Sequence, residues 1–342
     1  MQYIQPVNEL TNAESVIVGV DVGGTKIAAG IVDAHGQVIG QVMTATDTQD
    51  PERTLHSIAS AVRECIETAG IAPARVRAVG LGIPGMVDPE RGVCLLSVNL
   101  NWQNVAVRSW LEQELNLPCV IDNDVCAATL GESIYGAGRG ARNMVYLSLG
   151  TGIAARAIMN GQLYRGAHGM AGEVGHLVVM PDGPLCRCGA CGCLEALAAG
   201  PALALSAQTA IAAGQETQLK SYLQRQGTLR SEDVFAAAAD NDGLALRILR
   251  QAGKHIAYGI YLLAMTFDPQ IIVIGGGLTM VPSPLLIEMR ARAEYLLAQS
   301  STSRTMFSAE TLCISSMGRD CAIIGAAALV ARSNGQHTRE KQ

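Results

Sequence analysis

Three groups of residues in this 342-residue chain have the types and spacing to do chemistry. The first is a pair of glycine turns, Gly23-Gly24-Thr25-Lys26 and Gly150-Thr151-Gly152. Glycine permits positive φ and lets backbone N–H groups come close to phosphate oxygens. Thr25 and Thr151 add hydroxyl donors. Neither turn has the GxxxxGK[ST] form of a P-loop, and neither opens a helix. One such turn usually just reverses a chain. Two in similar strand contexts, one led by Asp21, point to a paired phosphate site. Asp21 is then placed to hold Mg2+ beside the phosphates, directly or through water.

The second group is Asp122-Asn123-Asp124, at the junction of a short apolar strand and a helix. Phosphoryl transfer needs positioning, charge neutralisation and a carboxylate to accept the hydroxyl proton. Asp124 is placed for that role. Taken alone, it reads as a helix N-cap, and so does Asp122.

The third group is His176-x9-Cys186-x-Cys188-x4-Cys193. A set of three cysteines and one histidine holds structural zinc. The surrounding loop, PDGPLCRCGACGCLE, has few apolar side chains besides its cysteines. Zinc supplies ~10–16 kcal/mol of apparent folding energy at such sites, more than this loop can gain by burial. Cys191 is left over, either to replace His176 in an all-cysteine site or to remain free. Glu173, His176 and Glu195 flank the cluster. A zinc-bound His offers its second ring nitrogen to a hydroxyl. The two carboxylates can accept hydrogen bonds from sugar hydroxyls, or they can support the metal ligands.

The elements that must position these groups are legible as periodicity. Val16–Val20 and Ile27–Val32 read as antiparallel strands around the first glycine turn, with a third strand at Gln37–Thr44. Apolar residues at 55, 58, 62, 65 and 66 predict a helix over Thr54–Ala69, stopped by Gly70. Val76–Gly82 is a buried strand running into Ile83-Pro84-Gly85. Val107–Leu115 is a helix, Cys119–Ile121 a strand, and Val125–Tyr135 a helix. Asn143–Leu149 and Ile153–Met159 repeat the strand–glycine turn–strand unit, so two related halves are expected. Beyond the cysteines the chain reads as mainly helical. Gln251–Phe267 is a long apolar helix ended by Pro269, Ile271–Ile274 a strand, and Asp320–Ala331 a closing helix before a frayed polar tail.

Composition narrows the function classes. Apolar residues make up 49% and charged residues 16% of the chain, which suits large buried cores rather than disorder. The net charge of −5 and the scattered Lys and Arg argue against a nucleic-acid partner. The first fifteen residues lack the pattern of a secretory leader, and Ile256–Phe267 is too short to span a bilayer. No membrane partner and a cytoplasmic location are expected. The isolated cysteines, such as Cys65 and Cys126, read as small core residues.

Together these motifs resemble the ROK family of repressors, open reading frames and kinases. The resemblance runs from about Val16 to Val330. It is carried by DVGGTK at 21–26, GIPG at 82–85, NLNW at 99–102, DND at 122–124 and LGTGI at 149–153. It continues through GAHGMAGEVGH at 166–176, CRCGACGCLE at 186–195 and Asp268 to Gly277. It implies an α/β, actin-like ATPase (ribonuclease H-like) fold with two lobes around a cleft. The expected small lobe takes residues 1–124 and 320–342, and the large lobe, 125–319, carries the zinc loop.

The resemblance further implies an ATP-dependent hexose kinase, closest to the family glucokinases. ATP phosphates would lie between Asp21–Lys26 and Gly150–Gly152, with Gly275, Gly276 and Gly277 facing the nucleoside. Asp124 matches the family's catalytic base. Sugar contacts carry over to Gly85, Asn99, Asn123, Asp124, Glu173, His176 and Glu195, and zinc ligation to His176, Cys186, Cys188 and Cys193. A homo-oligomer, dimer or tetramer, is implied on the same ground. N-acetylmannosamine, N-acetylglucosamine and fructose are alternative substrates. A sugar-responsive repressor is disfavoured, because only about twenty residues precede Asp21, too few for a helix-turn-helix domain. An actin-like chaperone or filament ATPase is the third class. The chain departs from the family at the second turn. Many family kinases read GTGIGGG there, whereas this one has Ile153-Ala154-Ala155-Arg156. The two alanines crowd the phosphate approach, and Arg156 faces either solvent or the nucleotide.

Overall fold

The structure is a computed structural model and describes residues 15–306 and 308–337. The expected leader-free start falls mostly on residues 1–14, and the end of the polar tail on 338–342, outside the described residues. By their contacts the described residues form two compact units. The first takes residues 15–142, 158–171 and 315–337, and the second takes 143–157 and 172–314.

In the first unit, β1 (Val16–Val22), β2 (Lys26–Val32) and β3 (Val38–Ala45) follow the predicted strand–turn–strand pattern. α1 (Pro51–Thr68) starts earlier than its apolar period, because Asp50 accepts a hydrogen bond from Arg53 N and Pro51 opens the helix. β4 (Val76–Ile83) comes next. β5 (Met86–Asp88), β6 (Val93–Ser97) and β7 (Trp102–Val105) then make a small sheet of their own. α2 (Val107–Leu115), β8 (Cys119–Asn123) and α3 (Asp124–Ile134) follow.

The main sheet runs β3–β2–β1–β4–β8. β1 is antiparallel to β2 and parallel to β4, and β4 is parallel to β8. One face packs Val18, Val20, Leu81 and Ile121 against Ile58 and Val62 of α1 and Leu111 of α2. Burial on both faces explains why β1 and β4 read as continuous apolar runs.

Much of the second unit is helical, as expected. β9 (Met144–Leu149) and β10 (Ile153–Met159) flank the second glycine turn, and β11 (Gln162–Tyr164) belongs with the first unit. α4 (Leu194–Ala198), α5 (Gly200–Ala212), α6 (Leu219–Gln226) and α7 (Ser231–Ala239) lead to α8 (Gly243–Phe267). α8 begins before the predicted Gln251, because Asp242 caps Ala245 N at 2.9 Å and Leu244, Ala245 and Leu249 are buried. β12 (Ile271–Gly275), α9 (Pro284–Ala298), α10 (Ser301–Met306) and β13 (Leu312–Ile314) complete the unit. β12 lies between β9 and β13, parallel to both. β10–β9–β12–β13 therefore repeats the order β2–β1–β4–β8 of the first unit.

α11 (Cys321–His337) returns to the first unit and covers the other face of its sheet through Ile323, Ala327 and Val330. The approach is close enough to dictate residue type. A Cβ at Gly80 would lie 1.9 Å from Ala326 O. α3 packs against the same helix, with an added Cβ at Gly131 only 2.8 Å from Gly325 Cα. That contact keeps α3 in the first unit, whereas the boundary expected at Asp124 assigned it to the second lobe.

Candidate functional site

In the first unit the carboxyl ends of three parallel strands carry the predicted residues. The register places Asp21, Gly82 and Asp122 in one row across β1, β4 and β8. Beyond Asp21, Gly23 N donates to Lys26 O at 2.9 Å, and Thr46 Oγ1 donates to Gly23 O at 2.7 Å. Thr25 and Lys26 are exposed at the tip. A Cβ at Gly24 would lie 2.7 Å from Asn99 O, so the predicted phosphate turn and predicted sugar ligand touch through their backbones. Burial pushes the Asp21 carboxyl above its usual range, and the Lys26 charge pulls it partly back.

That direction has a consequence for stability. An acid whose folded pKa exceeds the unfolded value of ~3.9 leaves the native state holding more protons. Stability is then lost as pH rises through that window. Asp21→Asn should therefore raise the thermal midpoint of the metal-free protein at neutral pH. An unchanged or lower midpoint would show that the ionised carboxylate is comfortable where it sits.

Asp122 and Asp124 have different surroundings. Asp122 is 2% exposed and is not a cap. Its Oδ1 accepts from Arg165 Nη1 at 3.0 Å and from Asn123 N at 2.8 Å, and its Oδ2 accepts from Arg165 Nη2 at 2.5 Å. Burial works against the Arg165 charge, but Asp122 and Cys126 together more than offset it. The N-cap of α3 is Asn123, whose Oδ1 accepts from Val125 N at 3.1 Å and Cys126 N at 3.2 Å. The expectation that Asp122 and Asp124 read as caps is corrected on this point. One fork-like pair anchors Asp122, and the amide between them takes the cap.

Asp124 is the first residue of α3 and half-buried. Its Oδ1 accepts from Asn123 Nδ2 at 2.9 Å and Val125 N at 2.9 Å. Asn123 Nδ2 also donates to Gly85 O at 3.1 Å. Gly85 has φ of +117°, and a Cβ there would lie 2.2 Å from Leu96 O. Asn123 thus ties the Gly85 turn, the start of α3 and the Asp124 carboxylate into one rigid corner.

Arg165 was missed by sequence reasoning. An aspartate ending an apolar strand demands a counter-charge, but nothing in the spacing says which arginine supplies it. Removing one partner of a buried pair costs about 3–5 kcal/mol. Arg165→Met should fall near the low end, since the Arg165 side chain is 39% exposed and water can take its place. Chemical denaturation should show this loss, with Arg165→Met/Asp122→Asn recovering part of it. A double variant no better than the single would contradict this.

In the second unit the parallel pair β9 and β12 delivers both glycine turns together. Gly275 pairs with Ser148, and a Cβ on Gly150 would lie 3.9 Å from Gly277 N. Gly276 has φ of +94° and no room for a Cβ, which would lie 2.4 Å from Leu149 O. Glu195 Oε2 accepts from Ile153 N at 3.0 Å, and a Cβ on Gly152 would lie 2.8 Å from the same oxygen. Glu195 is thus fastened to the end of the turn. Thr151 is exposed.

The predicted metal set converges. The ligand atoms of His176, Cys186, Cys188 and Cys193 all lie within 4.8 Å of one another. Cys188 Sγ and Cys193 Sγ are 3.6 Å apart, and Cys186 Sγ is 3.7 Å from His176 Nδ1. Tetrahedral zinc with Zn–S of ~2.3 Å and Zn–N of ~2.0–2.1 Å gives edges of ~3.5–3.8 Å, so the donor set fits. Cys191 is exposed and outside the set. Glu173 precedes a 3-10 turn, Val174–His176. Its Oε1 accepts from Arg156 Nη2 at 2.8 Å. Arg156 therefore faces neither solvent nor an open turn. It is buried against Glu173.

Two sheets that share one strand order, each with a glycine turn after its first strand, define an actin-like ATPase fold of the ribonuclease H-like kind. The chain belongs to the ROK family, whose family model matches residues 17–333. It is 34% identical to a glucokinase of Halalkalibacterium halodurans over 315 residues, covering 92% of this chain and 94% of that one. It is 31% identical to a xylose repressor of Caldicellulosiruptor bescii over 260 residues, covering 76% of this chain and 65% of that one. Among solved structures, it resembles a ROK family glucokinase from Streptomyces griseus in complex with glucose and AMPPNP. The TM-score is 0.79 at 32% identity, covering 93% of this chain and all of that one. Among the described residues, no helix is long and apolar enough to cross a membrane.

Proposed function

We propose that this chain is an ATP-dependent hexose kinase, with glucose as first substrate and Asp124 as general base. The observation that carries the assignment is the Asp124 carboxylate, held at the start of α3 by Asn123 Nδ2 and Val125 N. Asp124 takes the proton of the sugar 6-hydroxyl as that oxygen attacks the γ-phosphorus of ATP. The bond from γ-phosphorus to the bridging oxygen breaks, and ADP leaves. Asn123 holds the base and the Gly85 turn, and Gly85, Asn99 and Asn123 contact the sugar. Glu173 and Glu195 accept hydrogen bonds from sugar hydroxyls, and the His176 ring offers its second nitrogen to another. The backbone amides at Gly23–Lys26 and Gly150–Gly152 hold phosphate oxygens, and Gly275–Gly277 the nucleoside. Mg2+ bound with the nucleotide near Asp21 supplies neutralisation of phosphate charge. Zinc at His176, Cys186, Cys188 and Cys193 supplies folding energy to the loop.

The family resemblance supports a cytoplasmic homo-oligomer that feeds glycolysis, and the net charge of −5 argues against a nucleic-acid partner. Similarity to a xylose repressor favours the second reading, a sugar-responsive DNA binder. A salt-sensitive gel shift with specific DNA would support that alternative. The kinase reading is tested by ADP release across glucose, N-acetylmannosamine, N-acetylglucosamine and fructose, with ATP and with other phosphate donors. Sugar-stimulated ADP release, greatest in kcat/KM with glucose, is expected. A different preferred hexose would move the substrate only. No stimulation by any sugar would sink the kinase assignment.

A further inference from the structure

We propose that Arg156 is a positioning residue for the sugar site, clamping the Glu173 carboxylate so that it meets a sugar hydroxyl in a fixed orientation. The inference rests on Glu173 contacting the sugar, as proposed above. Arg156 stands on β10 between the buried Ala155 and Ala157, and is itself only 4% exposed. A buried guanidinium needs a counter-charge and hydrogen-bond acceptors. It finds the first in Glu173, at 2.8 Å from Nη2 to Oε1. It finds an acceptor in Ala155 O, at 2.9 Å from Nη1.

The backbone is shaped to admit this contact. Gly172 precedes Glu173 with φ of +97°. A Cβ there would lie 1.9 Å from Ala155 O and 3.3 Å from Arg156 Nη1. Ala155 N donates back to Gly172 O at 2.8 Å. Gly172 therefore lets the turn bearing Glu173 lie directly on β10, within reach of the guanidinium. The Glu173 side chain stays 32% exposed, so the carboxylate is held from behind while remaining accessible. Glutamate loses much rotamer freedom when ordered. Here the loss falls on folding rather than on binding, which is the physical meaning of preorganisation. The glycine common at this position in family kinases has no side chain to do this.

A purely structural role for Arg156 makes different predictions, and a double-mutant cycle separates them. Wild type, Arg156→Met, Glu173→Gln, the double variant and Arg156→Lys are compared for glucose KM and kcat with ATP and Mg2+. Circular dichroism and zinc content are measured for each. Arg156→Met should raise the glucose KM about tenfold, with kcat falling less than about threefold. In the Glu173→Gln background the same change should add less than about twofold, because the group it positions is already altered. Arg156→Lys should recover part of the KM, since an ammonium keeps the charge without the planar fork. Equal KM effects of Arg156→Met in both backgrounds would overturn the inference. So would an unchanged KM, or a rise in KM that appears only together with loss of fold or zinc. If wild type itself lacks sugar-dependent turnover, the kinase reading fails, and that result is distinct from additive effects in an active enzyme.

Discussion

Asp124→Asn should still bind glucose but lose about 10²–10⁴-fold in kcat. The substitution keeps the size and planarity of the side chain. Its amide oxygen can still accept from Val125 N, which now bonds Oδ1 at 2.9 Å. What disappears is the capacity to take a proton at neutral pH. The helix should survive, because the cap of α3 is Asn123 and not Asp124. The lost interaction of a first-turn carboxylate with the helix dipole is worth only about 0.3–1 kcal/mol. Kinetics and stability therefore separate cleanly at this position. Near-normal turnover in a folded Asp124→Asn protein would remove Asp124 as the base and leave the fold account untouched.

Loss of the metal set is expected to have the largest effect on stability. Cys193 is fully buried, and its Sγ lies 3.6 Å from Cys188 Sγ. Cys193→Ser, or a strong chelator, should cost a large part of the ~10–16 kcal/mol that structural zinc supplies. Besides backbone hydrogen bonds within it, such as Val179 N to Gly192 O at 2.9 Å and Cys186 N to Ala190 O at 2.7 Å, the loop has little apolar packing to hold it. Leu177, Val178, Met180 and Leu185 around it are exposed rather than packed. Limited proteolysis should cut between residues 172 and 195 in Cys193→Ser but not in wild type. Cys191→Ser is the matched control, since Cys191 is exposed and outside the set. Metal analysis should find about one zinc per chain in wild type and in Cys191→Ser. A fully folded, protease-resistant protein without metal would contradict the role of the cluster.

The parts of the fold that were legible in the sequence were those with an uninterrupted period. β1, β2, β9, β10 and β12 are buried apolar runs bounded by glycine, and α2 has the bounds its pattern predicts. β5, β6 and β7 were not legible, because strands of three to five residues, partly exposed, leave no alternation to read. The helices between the cysteine loop and α8 were seen only as a class, because α5 and α7 are alanine-rich with faces that hardly differ, and α6 is only eight residues long.

The candidate site was legible as residue types but not as partnerships. The three cysteines and one histidine could be picked by spacing as a candidate metal set, and the structure brings their ligand atoms together without Cys191. Asp122 looked like a second cap, since a sequence does not show that Arg165, far along the chain, reaches it. Arg156 looked like a disturbance of a glycine turn. Only the positive φ of Gly172 and the burial of β10 show why a guanidinium fits there.

The most direct test of the kinase assignment follows phosphorus itself. Wild-type protein is mixed with glucose, ATP and Mg2+ and followed by 31P NMR. The account predicts a sugar 6-phosphate signal growing in step with ADP, with no phosphate release when glucose is omitted. Free inorganic phosphate accumulating at the same rate with or without sugar would contradict it, and would make this chain an ATPase on the same fold.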